Sequence, residues 1–153
     1  MTFQVHPLPA AAFQGLEQLS TRELEDRDIQ LHVSDGTFPC RVSLRDVPAG
    51  EQVFLLNYEH QPNRTPYRSR HAIFVARDAV ETVPAADELP LMIRKRLLSV
   101  RAFNGRHEIV EAEVCEGEAA AALIAGMFAS SEVDYIHLHF ARRGCFAAMV
   151  TRS

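Results

Sequence analysis

The dipeptide Asn104-Gly105 lies between residues 97–103 and 108–115, two runs in which apolar and polar side chains alternate. Alternation with period two sends successive side chains to opposite faces of a strand, and Asn-Gly tolerates the positive φ values that a two-residue hairpin turn demands. An antiparallel hairpin at this point is the strongest constraint on the fold. Similar punctuation recurs. Residues 29–33 alternate and close at Ser34-Asp35-Gly36, while residues 40–44 and 53–59 read as two strands of a hairpin reversed by Asp46-Val47-Pro48-Ala49-Gly50. A loop over residues 61–66, rich in proline, leads into a β-rich segment through Ile73, Phe74 and Val75. Residues 133–140 and 145–151 form a last hairpin around Arg142-Arg143-Gly144, and residues 3–6 are extended.

Helical spacing is rarer. Phe13, Leu16 and Leu19 predict one amphipathic helix over residues 10–19, followed by a charged stretch over residues 21–28. Asp87 is placed to cap a short helix with Pro90 in its first turn, and residues 118–129 predict an alanine-rich helix with acidic residues at its positive end. About eight strands against two or three helices, joined mostly by hairpins, predict an α+β fold: a largely antiparallel sheet with helices packed on one side. With 153 residues and 47% apolar or aromatic side chains, one domain over residues 1–153 is expected, burying roughly two-thirds of its unfolded surface.

Charge and motifs remove several classes of function. A formal net charge of -4 argues against nucleic acid and anionic membrane surfaces as partners. The glycine-rich loops that cradle nucleotide phosphates are absent, so no nucleotide cofactor is expected, and the sequence assigns no other. Cys40, Cys115 and Cys145 fit neither a disulfide framework nor a zinc knuckle and read as reduced thiols. No apolar run reaches the length of a membrane span and residues 1–7 lack the features of a signal peptide, so the expected location is cytoplasmic.

The residues able to carry chemistry are basic, aromatic and thiol. In Tyr135-Ile136-His137-Leu138-His139 both imidazoles project from one strand face at a spacing that chelates metals, with His60, His71, His107 or Cys145 as the third-ligand candidates. Two structural histidines on a half-buried sheet are the plainer reading, so His137 and His139 are weak metal candidates. Cys145 is a candidate reactive thiol beside Arg142 and Arg143, with a simple packing role as the alternative; a turn with a bulge at Gly144 would bring it to the His139 side, a four-residue loop to the other. Arginines cluster without acids in residues 60–77 and 94–106, and together with Tyr58, Tyr67 and His71 they would line an anion cleft if the two segments are neighbours; otherwise they are solvated faces. Arg41 and Arg101 stand inside strand patterns, where a structural bridge to Glu111 or Glu113 competes with ligand binding.

The blocks Phe38-Pro39-Cys40-Arg41-Val42-Ser43-Leu44, Phe54-Leu55-Leu56-Asn57-Tyr58-Glu59-His60 and Gly144-Cys145-Phe146 resemble a bacterial family known as domain of unknown function 1203, nearly from end to end. The resemblance implies a single domain and carries no activity, cofactor or substrate. Where this chain has His139 the family pattern often has arginine, and where it has Arg70-His71 a glycine-proline pair is common. Arginine replaces histidine as an anion contact but not as an ordinary zinc ligand, which favours an anion site over a metal.

The leading expectation is therefore a domain that binds a small anionic ligand or an acidic peptide, with or without turnover. In it Arg41, Arg70 and Arg101 hold the anion, Tyr58 orients it, His71 lines the site, and His137 or His139 exchanges a proton. The alternatives are a protein-interaction or self-association module, a homo-oligomer included, and a His/Cys metal-binding protein.

Overall fold

The computed structural model describes residues 2–153. In chain order its strands are β1 Phe3–His6, β2 Gln30–Val33, β3 Phe38–Pro39, β4 Asp46–Val47, β5 Gln52–Gln61, β6 Ser69–Ala76, β7 Leu97–Phe103, β8 Ile109–Glu116, β9 Tyr135–Phe140 and β10 Phe146–Arg152. The α-helices are α1 Thr21–Asp26, α2 Leu91–Arg94 and α3 Ala120–Met127. A five-stranded sheet runs β1-β10-β9-β7-β8, a three-stranded sheet β2-β5-β6, and β3 pairs with β4, every strand pair being antiparallel. The α+β class and the dominance of hairpins follow the alternation in the sequence.

Register assigns each face of the large sheet. Leu98, Val100 and Ala102 of β7 stand opposite Phe140, Leu138 and Ile136 of β9, and this face packs with Met92 and Ile93 of α2 and Ile124, Met127 and Phe128 at α3. Ile124 is wholly buried there, so truncation to alanine is expected to cost about 2–5 kcal/mol. The other face carries Ser99, Arg101 and Phe103 opposite His139, His137 and Tyr135. Against it lies the end of β5, where the Gln61 amide donates to the Tyr135 hydroxyl at 2.8 Å. A second core, with Val53, Phe54, Leu56, Ile73 and Val75, takes in Phe146 from the large sheet.

Several local expectations are corrected. Residues 10–19 form two 3-10 turns, Ala10–Phe13 and Leu16–Gln18, because Gly15 between them takes a left-handed φ of 89° and interrupts the α-helical path. The charged stretch that follows is α1. Its capping box was written in the sequence: Ser20 Oγ accepts from the Glu23 N–H and Glu23 Oε2 from the Ser20 N–H. Residues 40–44 are a buried tight turn and not a strand. The Leu44 N–H donates to the Cys40 carbonyl at 3.0 Å, and Leu44 adopts a φ of 52°. Five buried residues in a turn mimic a short strand run, and β5 pairs with β2 and β6 instead. The helix at α2 forms as expected, but Asp87 does not cap it; its carboxylate accepts from the Phe3 N–H at 2.8 Å.

The hairpin at Asn104-Gly105 exists, though its turn differs. His107 takes the left-handed position with φ of 62°, and the Asn104 side chain accepts from the N–H groups of Arg106 and Glu108. The asparagine thus acts through its side chain, as in an Asx turn.

Candidate functional site

The turn holding Cys40 to Ser43 is pressed into the protein by β6: the Arg41 N–H donates to the Phe74 carbonyl at 3.1 Å. This leaves the Arg41 side chain almost without solvent exposure. Its Nε donates to the Phe146 carbonyl at 2.8 Å, its Nη1 to the Pro39 carbonyl at 2.6 Å, and its guanidinium lies over the Phe140 ring, 5.1 Å from the centroid. Burial draws its pKa down to about 10, while the Cys145 and Cys40 sulfurs favour the charged form. The group therefore stays protonated at neutral pH. Among the described residues it has no carboxylate partner, and a buried charge so placed is costly unless something else compensates it.

Arg41 forms part of the lining of a cleft of about 590 Å³. Lys95 and Arg96 enter from the segment between α2 and β7, and Arg142 and Arg143 from the turn between β9 and β10. Phe38, Phe74 and Phe140 supply apolar wall, the first two stacked at 4.5 Å, and Cys145 lies at the Arg41 end. Glu116 is the acidic lining residue. Asp46 outside the lining pairs with Lys95 and, at 2.8 Å, with Arg96. Even after those two acids are counted, the five lining cations leave an excess of positive charge, in a chain whose net charge is -4. A second concavity of about 500 Å³ sets Arg77 among Glu17 and Asp78 and has no such excess.

A second group of side chains sits on the other side of Phe146. His137 and His139 share a face of β9, and the Tyr58–Gln61 irregularity in β5 brings His60 against them. Ring centroids are 5.0 Å apart for His60 and His139, 6.1 Å for His60 and His137, and 6.2 Å for His137 and His139. The Phe146 ring stacks on His60 at 5.2 Å. Burial first, then neighbouring imidazoles and the Arg101 charge, pulls His137 down to about 3; burial opposed by the bond from Nδ1 to the Gly144 carbonyl takes His139 to about 3. His60 falls to about 4 through burial and Arg101. Burial also lowers Arg101, whose Nε donates to Ser99 Oγ at 3.1 Å.

The structure thus divides the candidate ligand-binding residues and the candidate thiol between separate places. Arg41 and Cys145 belong to the cleft; Arg101, His137 and His139 belong to the histidine group, with His71 close enough for its charge to depress His60 and His139. Tyr58 turns away and packs on Phe13 at 5.6 Å. Arg70 is exposed and bonds to Asn57, and Arg68 pairs with Glu59. His107 bonds to the Tyr135 hydroxyl at 2.9 Å. Neither Arg41 nor Arg101 bridges to Glu111 or Glu113. Cys145 follows a four-residue loop, with the Phe140 N–H donating to its carbonyl at 2.9 Å, so it lies on the Phe140 side and not with His139. Lys95, Arg96, Arg142, Arg143 and Phe140 were not singled out as a set, because they converge from distant segments. The local signals are Arg142-Arg143 immediately before Gly144-Cys145 and the acid-free basic run that contains Lys95 and Arg96.

Among the described residues no helix is long and apolar enough to cross a membrane. No curated protein and no solved structure matches the chain. The family described as Protein of unknown function (DUF1203) matches residues 37–152. That span includes Arg41, both strands carrying the histidines and every cation of the arginine-lined cleft, and the chain belongs to this DUF1203 family.

Proposed function

We propose that the chain binds a small organic anion, a carboxylate or phosphate on an apolar body, in the cleft floored by Arg41. The observation that carries this reading is a buried guanidinium with no acidic partner at the wall of a cleft whose other cations outnumber its acids. An anion there compensates a charge the fold leaves unpaired, in partly desolvated surroundings where such contacts are strong. Phe38, Phe74 and Phe140 give the apolar body its surface, and the volume suits a metabolite-sized ligand. Of the residues expected to hold the anion the site keeps Arg41, and it gains Lys95, Arg96, Arg142 and Arg143, with the thiol candidate Cys145 on its wall.

Thermal unfolding with phenyl phosphate, inorganic phosphate and phenol tests the reading, since a ligand of the folded state raises Tm by mass action. The expected result is a saturable rise with phenyl phosphate that exceeds the rise with either fragment. Equal or absent shifts across the three compounds would overturn it.

A further inference from the structure

We propose that Cys145 is an exchange thiol, which takes up a mixed disulfide from a small disulfide that carries carboxylates. The inference rests on the reading of the cleft as an anion site and gives that site a chemistry. Arg142-Arg143-Gly144-Cys145 sets two cations directly before the sulfur, and Gly144, with a φ of 79°, turns the chain so that Cys145 joins the cleft lining beside Arg41. Three successive carbonyls then fix the backbone. That of Gly144 is held by His139 Nδ1 at 2.9 Å, that of Cys145 accepts from the Phe140 N–H at 2.9 Å, and that of Phe146 accepts from Arg41 Nε at 2.8 Å. The thiol is therefore held in place at the cleft wall, where it is 7% exposed.

A second observation comes from Arg41. It is 1% exposed, has no carboxylate partner among the described residues, and has the Cys145 sulfur close enough to favour its charged form. A buried guanidinium so placed is compensated when negative charge arrives at the thiol. His139 lies on the other face of β9, and among the described residues Cys145 belongs to no group of three metal-ligating side chains. Neither a thiol–imidazole pair nor a metal centre is built around this sulfur, and its charged surroundings are arginine.

In the exchange the Cys145 sulfur, its proton given up to solvent, attacks one sulfur of the incoming disulfide. The new S–S bond forms as the old one breaks, and the second half departs as a thiolate that solvent protonates. Cys145 is oxidised to the mixed disulfide and the departing half is reduced to a thiol, so the disulfide is the only oxidant required. The cleft cations hold the carboxylates of the reagent and offset the negative charge that moves onto the leaving sulfur. Cys115 is the opposite case within the same chain: burial, then the charges of Glu113 and Glu116, push its thiol up, and the same acids repel an anionic disulfide.

The test treats native protein at neutral pH with dithiobis(nitrobenzoate), which bears a carboxylate on each aromatic half, and with neutral dithiodipyridine. Each rate is divided by that of mercaptoethanol with the same reagent, and peptide mapping by mass spectrometry assigns the adducts. At Cys145 the normalised rate with the anionic reagent is expected to exceed that with the neutral one by about tenfold or more, the low end of electrostatic steering, and salt is expected to shrink the difference. Cys115 is expected to show no such preference. Arg142→Gln/Arg143→Gln is expected to lose most of the preference and keep the neutral rate, and Cys145→Ser to lose the adduct while keeping the rise in Tm with phenyl phosphate. No adduct at Cys145 in native protein, or the same preference at both thiols, would overturn the proposal. An unreactive Cys145 in a protein that phenyl phosphate stabilises removes the exchange and leaves the anion cleft standing; equal normalised rates with no rise in Tm remove both.

Discussion

Arg41 and Phe146, 105 residues apart in sequence, are joined by a 2.8 Å hydrogen bond from the guanidinium Nε to the backbone carbonyl. Phe146 in turn lays its ring on His60. One residue of β10 therefore forms the partition between the basic cleft and the histidine group, its main chain holding one and its side chain bounding the other.

Removing the guanidinium leaves the Phe146 and Pro39 carbonyls without their donor and opens a void beside Phe140. Arg41→Ala is expected to lose about 2–5 kcal/mol of stability in urea unfolding, the range for breaking a buried bonded charge or emptying a core site. Arg41→Lys recovers only part, because an ammonium lacks the planar fork that serves two carbonyls at once. A loss below about 0.5 kcal/mol for the alanine variant, the range of surface substitutions, would contradict this role.

Acid should destabilise the protein early. The folded-state pKa values of His137 and His139, about 3 each, lie below the ordinary histidine value of 6.5. The unfolded chain therefore takes up these protons first as pH falls. The stabilising contribution is complete above about pH 6.5 and is lost as pH drops toward the folded values. Urea midpoints measured from neutral pH downward are expected to fall through this window, and less steeply in His137→Gln. A pH profile identical in that variant would show that His137 does not carry the effect.

The link between α2 and α3 depends on a glycine. A Cβ at Gly117 would run into the main-chain oxygens of Ile93 and Arg94, so the backbone of that segment would have to shift. Gly117→Ala is expected to cost about 1–3 kcal/mol, the usual penalty of overpacking, by chemical denaturation. Gly126→Ala, where a Cβ meets open space in the last turn of α3, is expected to be neutral or stabilising.

Cys145 reports on cleft occupancy. It is buried at the cleft, whereas Cys115 is partly exposed on β8 and does not line it. Iodoacetamide labelling followed by mass spectrometry is expected to show phenyl phosphate slowing modification at Cys145 and leaving Cys115 unchanged. Parallel protection of both thiols, or of neither, contradicts occupancy of this cleft.

The antiparallel character was legible because alternation and turn chemistry are local: β7, β8, β9 and β10 all formed where the pattern placed them. The turn at Cys40 to Leu44 was not, since burial of every residue in a short turn produces the same apolar signal as a strand. The histidine pair on β9 was visible from spacing, and the closeness of His60 was not, because it depends on an irregularity in β5 and on the stacking of two sheets. The cleft was least legible. Its cations come from residues 41, 95–96 and 142–143, and only the folded chain brings these together.

Calorimetric titration with phenyl phosphate, at fixed ionic strength, tests the anion cleft most directly when wild-type protein is compared with two double variants. Arg142→Gln/Arg143→Gln removes two exposed cleft cations, and Arg68→Gln/Arg106→Gln removes two exposed arginines that lie elsewhere. The account predicts saturable binding to wild type, weakening of about tenfold or more in the first variant, as expected for the loss of charge-assisted contacts, and little change in the second. Equal affinity in all three proteins, or equal losses in the two variants, would contradict it.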